Sequence, residues 1–375
     1  MIIGIDISSI QYGTGVSNYT LNLVKNLIKI DKTNTYKLFY ASLRNPLPKD
    51  ILKLRSNRIK IYDFKIPISF FVFIWNKLNI LPIELFIGKL DIFHSSDYYH
   101  TPSLKAKLIT TVHDLTPFLY RSWLHPSIVK NHHLKFKHIQ KYDHFICVSQ
   151  TTQNDIIKLF PKIQNKTSVV YEASEEKYKK FFNLPINQKQ KIIDNFKQKY
   201  KLTDFILAQG TREPRKNLTR LIRSFIKFKK LYPASNLELA ITGKYGWGKD
   251  ISTTQPNYIK ILGYLPESDM VPSHASALAL AYPSLYEGFG LPVLKAMAVD
   301  TPVITSLNTS MAEICQNSAL LVDPKSTNSI LKAITKIYQD KNLRSTLSKK
   351  GIEISNQFSW TQTAKQTLKI YEKLI

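Results

Sequence analysis

Glu287 stands directly before Gly288, Phe289 and Gly290, and Pro292 follows where the first turn of a helix is expected. Glycines let the backbone approach a ligand closely, and a helix start presents N–H groups and positive dipole to an anion. A carboxylate beside such a nest can hydrogen-bond sugar hydroxyls or stabilise positive charge developing at an anomeric carbon. It can also cap the following helix. Upstream, residues 210–218 read GTREPRKNL and set Arg212, Arg215 and Lys216 together at a helix start. Fixed cations and a helix dipole suit a diphosphate, above all the extra charge it carries as it departs. Alone, that segment also reads as a solvated basic turn. With the nest at Glu287 in the same half of the chain, it points to a sugar carried on a diphosphate.

His113, in TTVHDLTP, falls at the end of an expected strand, where a His-Asp pair can bind substrate or exchange protons. A histidine satisfied by local backbone, with Asp114 as a cap, is the structural alternative. His132, His133 and His138 sit among Lys130, Lys135, Lys137 and Lys141 with no metal-ligand spacing, so a solvated or membrane-facing surface is expected there. Gly13 and Gly15 after the first strand are a weak signal, equally suited to a tight turn. Residues 49–87 interleave Lys49, Lys53, Arg55, Arg58, Lys60 and Lys65 with the runs IPISFFVFIW and LPIELFI. That pattern fits docking on an anionic membrane surface or a lipid-linked acceptor, or a buried helix with a basic flank.

The elements that must position these residues alternate. Apolar runs at 2–7, 37–41, 58–62, 92–95, 107–112, 145–148 and 168–170 predict strands, with amphipathic helices at 19–30, 127–142 and 152–159. A polar stretch at 175–201, rich in Lys, Gln and Asn, reads as a linker. The alternation then restarts, with strands at 205–209, 237–242, 259–262, 277–281, 302–306 and 319–322 and a helix at 217–231. Two strand–helix series predict two doubly wound α/β domains with parallel sheets. The ligand cleft is expected at the strand C-terminal ends, facing the gap between domains. The expected boundaries are 1–185 and 200–356, with a final amphipathic helix in 357–375.

The length of 375 residues suits two domains, and 43% hydrophobic residues describe a globular chain. Lys and Arg exceed Asp and Glu by 26, which draws a protein toward nucleic acid, anionic lipid or phosphorylated substrates. Residues 1–190 hold 27 basic and 13 acidic side chains, and residues 191–375 hold 26 and 14, so the charge is neither a tail nor an arm. Compositional drift is the plain alternative. No recognition helix, zinc pattern or aromatic RNA-binding strand accompanies the charge, so nucleic acid is not expected as a partner. Two isolated cysteines, Cys147 and Cys315, suggest a reducing compartment. The start MIIGIDISS lacks a signal-peptide n-region, and the apolar run at 66–74 is too short to span a bilayer. A cytoplasmic location follows as the expectation, with peripheral attachment to the inner face of a membrane.

Taken together, GIDISSIQYGTGVSNYTLNL, FHSSDYY, TVHDLTP, ICVSQTTQNDI, GTREPRKNL, ITGKYGWG, LGYLPESDM, YPSLYEGFGLPVLKAMAVDTPVITS, ALLVDP and FSWTQTA resemble the retaining family 4 glycosyltransferases of the GT-B fold. Within that family they look most like the mannosyltransferase-type enzymes of cell-surface polysaccharide assembly. The resemblance runs through nearly the whole chain. It implies an acceptor-binding N-terminal domain and a C-terminal domain that binds a nucleotide-diphosphate sugar as co-substrate. Gly15 would bring its backbone near donor phosphate or acceptor, and His113 would line the sugar site. Arg215 and Lys216, with Arg212 as a third, would hold the diphosphate. Glu287 would contact the sugar, while the backbone of Gly288, Phe289, Gly290 and Leu291 would nest sugar and phosphate. No metal and no other cofactor is implied, because fixed cations do the work of an ion. Transfer would proceed with retention by front-face attack, without a protein nucleophile. The closing segment would return to the first domain.

The chain departs from the family pattern at three places. Ser17 and Asn18 stand where a second glycine and a basic residue are usual. Lys295 occupies the position, eight residues after Glu287, of a second glutamate that accepts hydrogen bonds from the nucleotide ribose. Lysine has donors only, so it could reach a phosphate but cannot replace that contact, at a cost of roughly 1–3 kcal/mol in donor affinity. The expected activity is transfer of a hexose, with mannose the candidate, to a lipid-linked or growing cell-surface glycan. Lys295 motivates the alternative of an inactive scaffold or partner subunit in a glycan-assembly complex.

Overall fold

The computed structural model describes residues 1–95, 99–248, 251 and 255–375. Ser96, Asp97 and Tyr98 of the FHSSDYY motif lie outside the described residues. The chain divides into two compact units, Met1–Glu172 with Trp360–Ile375, and Ala173–Ser359.

The first unit is built on strands β1 (Ile2–Asp6), β2 (Thr35–Ala41), β3 (Ile59–Phe64), β4 (Ile92–Ser95), β5 (Lys107–Val112), β6 (His144–Cys147) and β7 (Thr167–Val169), in the order β3-β2-β1-β4-β5-β6-β7. Every pairing is parallel. The apolar runs of the inner strands follow from burial on both faces, whereas edge strands β3 and β7 are only partly buried. The helix Gly15–Ile30 starts before the apolar periodicity, because Thr14 and Ser17 form a capping box. This gives Ser17, where the resemblance expects glycine, a structural role: its buried hydroxyl also donates to the Ser9 carbonyl at 2.6 Å. The last helix, Trp360–Leu374, packs on the helix Gly15–Ile30 within this unit. Tyr371 Oη and His94 Nδ1 hydrogen-bond at 2.7 Å, and Thr363 donates to the Tyr171 carbonyl at 2.7 Å.

The second unit carries β8 (Phe205–Gln209), β9 (Glu238–Thr242), β10 (Ile259–Gly263), β11 (Ala279–Tyr282), β12 (Val303–Ser306) and β13 (Ala319–Val322), all parallel, in the order β10-β9-β8-β11-β12-β13. Alternate residues serve opposite cores. Ile206, Ala208, Ala279 and Ala281 enter one apolar cluster, while Phe205, Leu207, Leu280 and Tyr282 enter the other. A strand with side chains in two cores is covered on both faces, which defines a doubly wound sheet.

The linker expected at 175–201 is instead two helices, Glu176–Phe182 and Ile186–Tyr200. Lys and Gln are good helix formers, and Tyr178, Phe181 and Phe196 supply the buried contacts. The first of these helices packs Tyr178 and Phe181 with Val271, Ala298 and Val299 of the second unit. Cys147 and Cys315 are buried free thiols, one in each unit. Among the described residues, no helix is long and apolar enough to cross a membrane.

Candidate functional site

In the second sheet the strand order reverses between neighbours β8 and β11. At such a switch point the two connections diverge and leave a crevice at the strand C-terminal ends. Residues 210–217 leave β8 there, and residues 283–290 leave β11. The two segments are joined by the Leu285 N–H, which donates to the Arg215 carbonyl at 2.8 Å. Asn217 Nδ2 also donates to the Pro283 carbonyl at 2.9 Å.

This joins GTREPRKNL to the Glu287 nest. Glu287 is buried. Its Oε2 accepts from Arg215 Nη1 at 2.5 Å, and its Oε1 accepts from Lys216 Nζ at 2.7 Å. Tyr282 Oη donates to the same Oε1 at 2.9 Å and itself accepts from Lys216 Nζ. The other edge of Arg215 meets Glu213 Oε1, with Nη2 at 2.7 Å and Nε at 3.1 Å. Two cations therefore face two carboxylates, and the four charges balance within the protein. Burial pushes the Glu287 carboxyl up, but Arg215 and Lys216 outweigh it and hold it down at about 2. Burial, and then Arg215, hold the Lys216 ammonium below the usual lysine range, with Glu287 acting in the opposite sense.

Side-chain hydroxyls around the end of β12 fix the loop after β11. Thr305 donates to the Tyr282 carbonyl at 3.0 Å, Ser306 to the Ser284 carbonyl at 2.6 Å and Ser310 to the Glu287 carbonyl at 2.7 Å. Gly290 has φ +106°, and a Cβ there would lie 2.6 Å from Met311 Cγ. Left-handed backbone and lack of space both call for glycine. The helix Leu291–Met297 begins next, with Pro292 in its first turn. Phe289 is buried, edge-on to Phe358 with ring centroids 6.1 Å apart.

The structure brings together Arg215, Lys216 and Glu287, and places Gly288, Phe289, Gly290 and Leu291 immediately beyond. Arg212 joins the chain through its backbone, donating to the Lys244 carbonyl at 2.8 Å and accepting from the Gly246 N–H at 3.1 Å. Lys295 is a different case. Its buried Nζ donates to Glu175 Oε1 at 2.9 Å and lies 5.4 Å from the centre of the Tyr178 ring. The ammonium that could reach a phosphate is thus held by a carboxylate from the start of the second unit.

His113 and Gly15 belong to the first unit. His113 follows β5, with Nδ1 3.2 Å from Glu172 Oε1 and its ring edge-on to Tyr19 at 4.7 Å. Tyr19 Oη and His94 Nε2 both hydrogen-bond to Thr111 Oγ1 at 2.9 Å. Asp114 accepts from the Thr116 N–H at 2.9 Å. Among the described residues, a Cβ at Gly15 would meet nothing within 4 Å. Among the described residues, no group of three or more His, Cys, Asp or Glu is placed to hold a metal ion.

Sequence reasoning passed over Glu213, Tyr282, Glu172 and Tyr19. The first two lay inside segments already singled out, two residues before Arg215 and five before Glu287. Glu172 carries no local signal, since it approaches His113 across 59 residues of sequence.

Two doubly wound parallel sheets, the second with cations and a buried acid at its switch point, define a GT-B glycosyltransferase. Solved structures share the fold over their full lengths. Sucrose-phosphate synthase from Thermosynechococcus elongatus superposes with a TM-score of 0.72 at 16% identity, covering 100% of this chain and 99% of that one. HepE of Anabaena, crystallised with UDP and glucose, gives 0.71 at 14% identity and 100% of both chains. Residues 13–173 match the family model Glycosyltransferase Family 4, and residues 189–354 match Glycosyl transferases group 1. The chain belongs to the family 4 glycosyltransferases of the GT-B fold. It is similar to O-antigen chain mannosyltransferase B of Escherichia coli, at 28% identity over 381 residues and 96% of each chain.

Proposed function

We propose that this glycosyltransferase moves a hexose, mannose on the model of its Escherichia coli relative, from a nucleoside diphosphate to a lipid-linked or growing cell-surface glycan. The cluster of Arg215, Lys216, Glu287 and Tyr282 carries this reading. A diphosphate arriving at the switch point finds two cations already oriented. As the anomeric C–O bond breaks, the bonding pair leaves with the diphosphate and its charge grows beside Arg215 and Lys216. Glu287, ionised at neutral pH, is the negative charge available to the sugar. The acceptor hydroxyl attacks from the side the diphosphate leaves, its proton passes to a departing phosphate oxygen, and configuration is retained. Fixed cations take the place of a metal ion, so transfer is expected to survive a chelator. The enzyme works in the cytoplasm at a membrane surface, where a lipid-linked acceptor is presented, and takes no nucleic acid.

The test is incubation of the full chain with radiolabelled nucleotide sugars and bacterial lipid extract. Label is expected in the lipid or glycan fraction from one donor. Absence of both transfer and donor hydrolysis with every donor would sink the proposal. A second reading, a non-catalytic partner subunit, is favoured by Lys295, whose Nζ is committed to Glu175. A chain that binds no nucleotide diphosphate until residues 295 and 175 exchange their charges would support it.

A further inference from the structure

The strands of the second unit run parallel, so β8, β9 and β10 all begin at one edge of the sheet, and Arg215 and Lys216 stand beyond the other. β8 alone, five residues long, separates the two edges by roughly 16 Å. At the edge where the strands begin lies a cleft of about 510 Å³. Thr203 precedes β8 there, Glu238 opens β9, Tyr258 precedes β10 and Lys260 lies within it. The helix Leu218–Leu231 ends at the same edge and brings Lys229 and Lys230. The floor of the cleft is fixed. The Thr203 N–H donates to Glu238 Oε2 at 2.9 Å, and the Thr203 hydroxyl donates to the Asn236 carbonyl at 2.8 Å. Ser235 Oγ accepts from the Leu237 N–H at 3.1 Å.

Small-molecule sites of about 300–1,000 Å³ are normally lined by apolar side chains with a few polar groups. This cleft reverses the proportion. Its walls carry three lysines and one glutamate, a surplus of two positive charges. Cations suit the last turn of a helix, which accounts for Lys229. Its Nζ donates to the Ser235 carbonyl and lies 5.2 Å from the centre of the Tyr258 ring. Lys260 comes instead from a strand, with Nζ 3.4 Å from Glu238 Oε1. Lys230, Asn236 and Asn257 are exposed at the cleft. Among the described residues, the polar ends of these three side chains have no hydrogen-bond partner. One ammonium and two amides are therefore available to a ligand, above a rigid and positively charged floor.

We propose that this cleft is a second ligand site and that it takes a sugar phosphomonoester. The phosphate lies between Lys230 and Lys260, and the sugar hydroxyls meet the amides of Asn236 and Asn257. A phosphomonoester carries about −1.5 to −2 at neutral pH, which matches the surplus charge of the walls. Lysine meets phosphate as a point charge, and an amide both donates to and accepts from hydroxyls. The cleft and the Arg215–Lys216 turn lie at opposite edges of one sheet, so this ligand and a nucleotide sugar do not compete for the same groups. The inference goes beyond the transfer reading and does not depend on it.

Titration calorimetry of the full chain with mannose 6-phosphate, mannose and inorganic phosphate tests it. Mannose 6-phosphate should bind saturably, at least about tenfold more tightly than either of the others, and more weakly as salt is raised. Lys230→Glu should weaken that binding by at least about tenfold at an unchanged melting temperature, because the side chain has no partner to lose. Asn257→Leu should weaken mannose 6-phosphate more than inorganic phosphate. Arg215→Lys should leave the binding as it is. Absence of saturable binding, equal affinity for inorganic phosphate, or a Lys230→Glu variant that binds as the wild type does would overturn the proposal. So would binding that Arg215→Lys weakens and Lys230→Glu does not, since the phosphate would then sit at the switch point. None of these readouts needs sugar transfer. Their failure removes this cleft alone, and failure of every nucleotide donor removes the transferase reading alone.

Discussion

Arg215 lies between Glu213 and Glu287, and Glu287 between Arg215 and Lys216. On the proposed function, a diphosphate shares cations that already have partners, and each partner keeps its cation oriented when no phosphate is present. The arrangement also makes Glu287 a source of acid sensitivity. Its carboxyl is held at about 2 against an ordinary value of 4.5. A depressed carboxylate stabilises the fold fully above the ordinary value, and that contribution disappears as pH falls toward 2. The difference corresponds to on the order of 3 kcal/mol. Urea unfolding between pH 2 and 6 should show the loss in the wild type, and Glu287→Gln should flatten that part of the curve while lowering stability at neutral pH by about 3 kcal/mol. Parallel curves for the two proteins would contradict the ion-pair account. Residue types in this site were legible, but their cancellation was not, because 71 and 72 residues of sequence separation carry no distance. Lys295 shows the same limit. Its departure from the family pattern is visible in the sequence, but its pairing with Glu175 is not. Lys295→Glu alone sets a buried carboxylate against the partly buried Glu175 and should lower the melting temperature by several degrees. Adding Glu175→Lys should restore it, as scanning calorimetry would show.

The strands were legible because inner parallel strands are buried on both faces and read as continuous apolar runs, as in FILAQ of β8 and ALAY of β11. The helices Glu176–Phe182 and Ile186–Tyr200 were not, since a surface rich in Lys, Gln and Asn looks like a linker when only composition is weighed. Their buried residues are few and widely spaced. The turn after β8, at the switch point, depends on close backbone contact with the turn after β9. Gly243 has φ +128°, and a Cβ there would lie 1.9 Å from the Gly210 carbonyl oxygen. Gly243→Ala must push apart the turns after β8 and β9, beside Lys216. It should destabilise the protein by more than about 2 kcal/mol and weaken donor binding in step. A variant with wild-type denaturant midpoint and affinity would show that this contact does not hold the site.

Across the molecule, four histidines in the two units are held well below their ordinary value, chiefly by burial. His94 and His100 lie at about 3, and His144 and His274 at about 4. Each is neutral in the fold and takes up a proton on unfolding below pH 6.5, so the unfolded state binds more protons and stability falls with pH from about 6.5 downward. This loss begins at higher pH than that from Glu287. Replacing His94 with Gln should shift the onset of acid unfolding downward, as fluorescence-monitored titration would reveal, and an unchanged profile would exclude His94 as a contributor. The even spread of positive charge was plain from the sequence. Family membership was legible because its motifs are local strings. Glu213 and Tyr282 lie within those strings, whereas Glu172 meets His113 only through the fold.

The central claim is that Arg215, Lys216 and Glu287 form the seat of a nucleoside diphosphate sugar. Titration calorimetry of the full chain against a panel of such donors, for the wild type and Arg215→Lys, tests it most directly. The substitution keeps the charge and loses the planar fork. The account predicts saturable binding of one donor, weakened at least about tenfold in the variant. Failure of every donor to bind, or equal affinity in the two proteins, would contradict it.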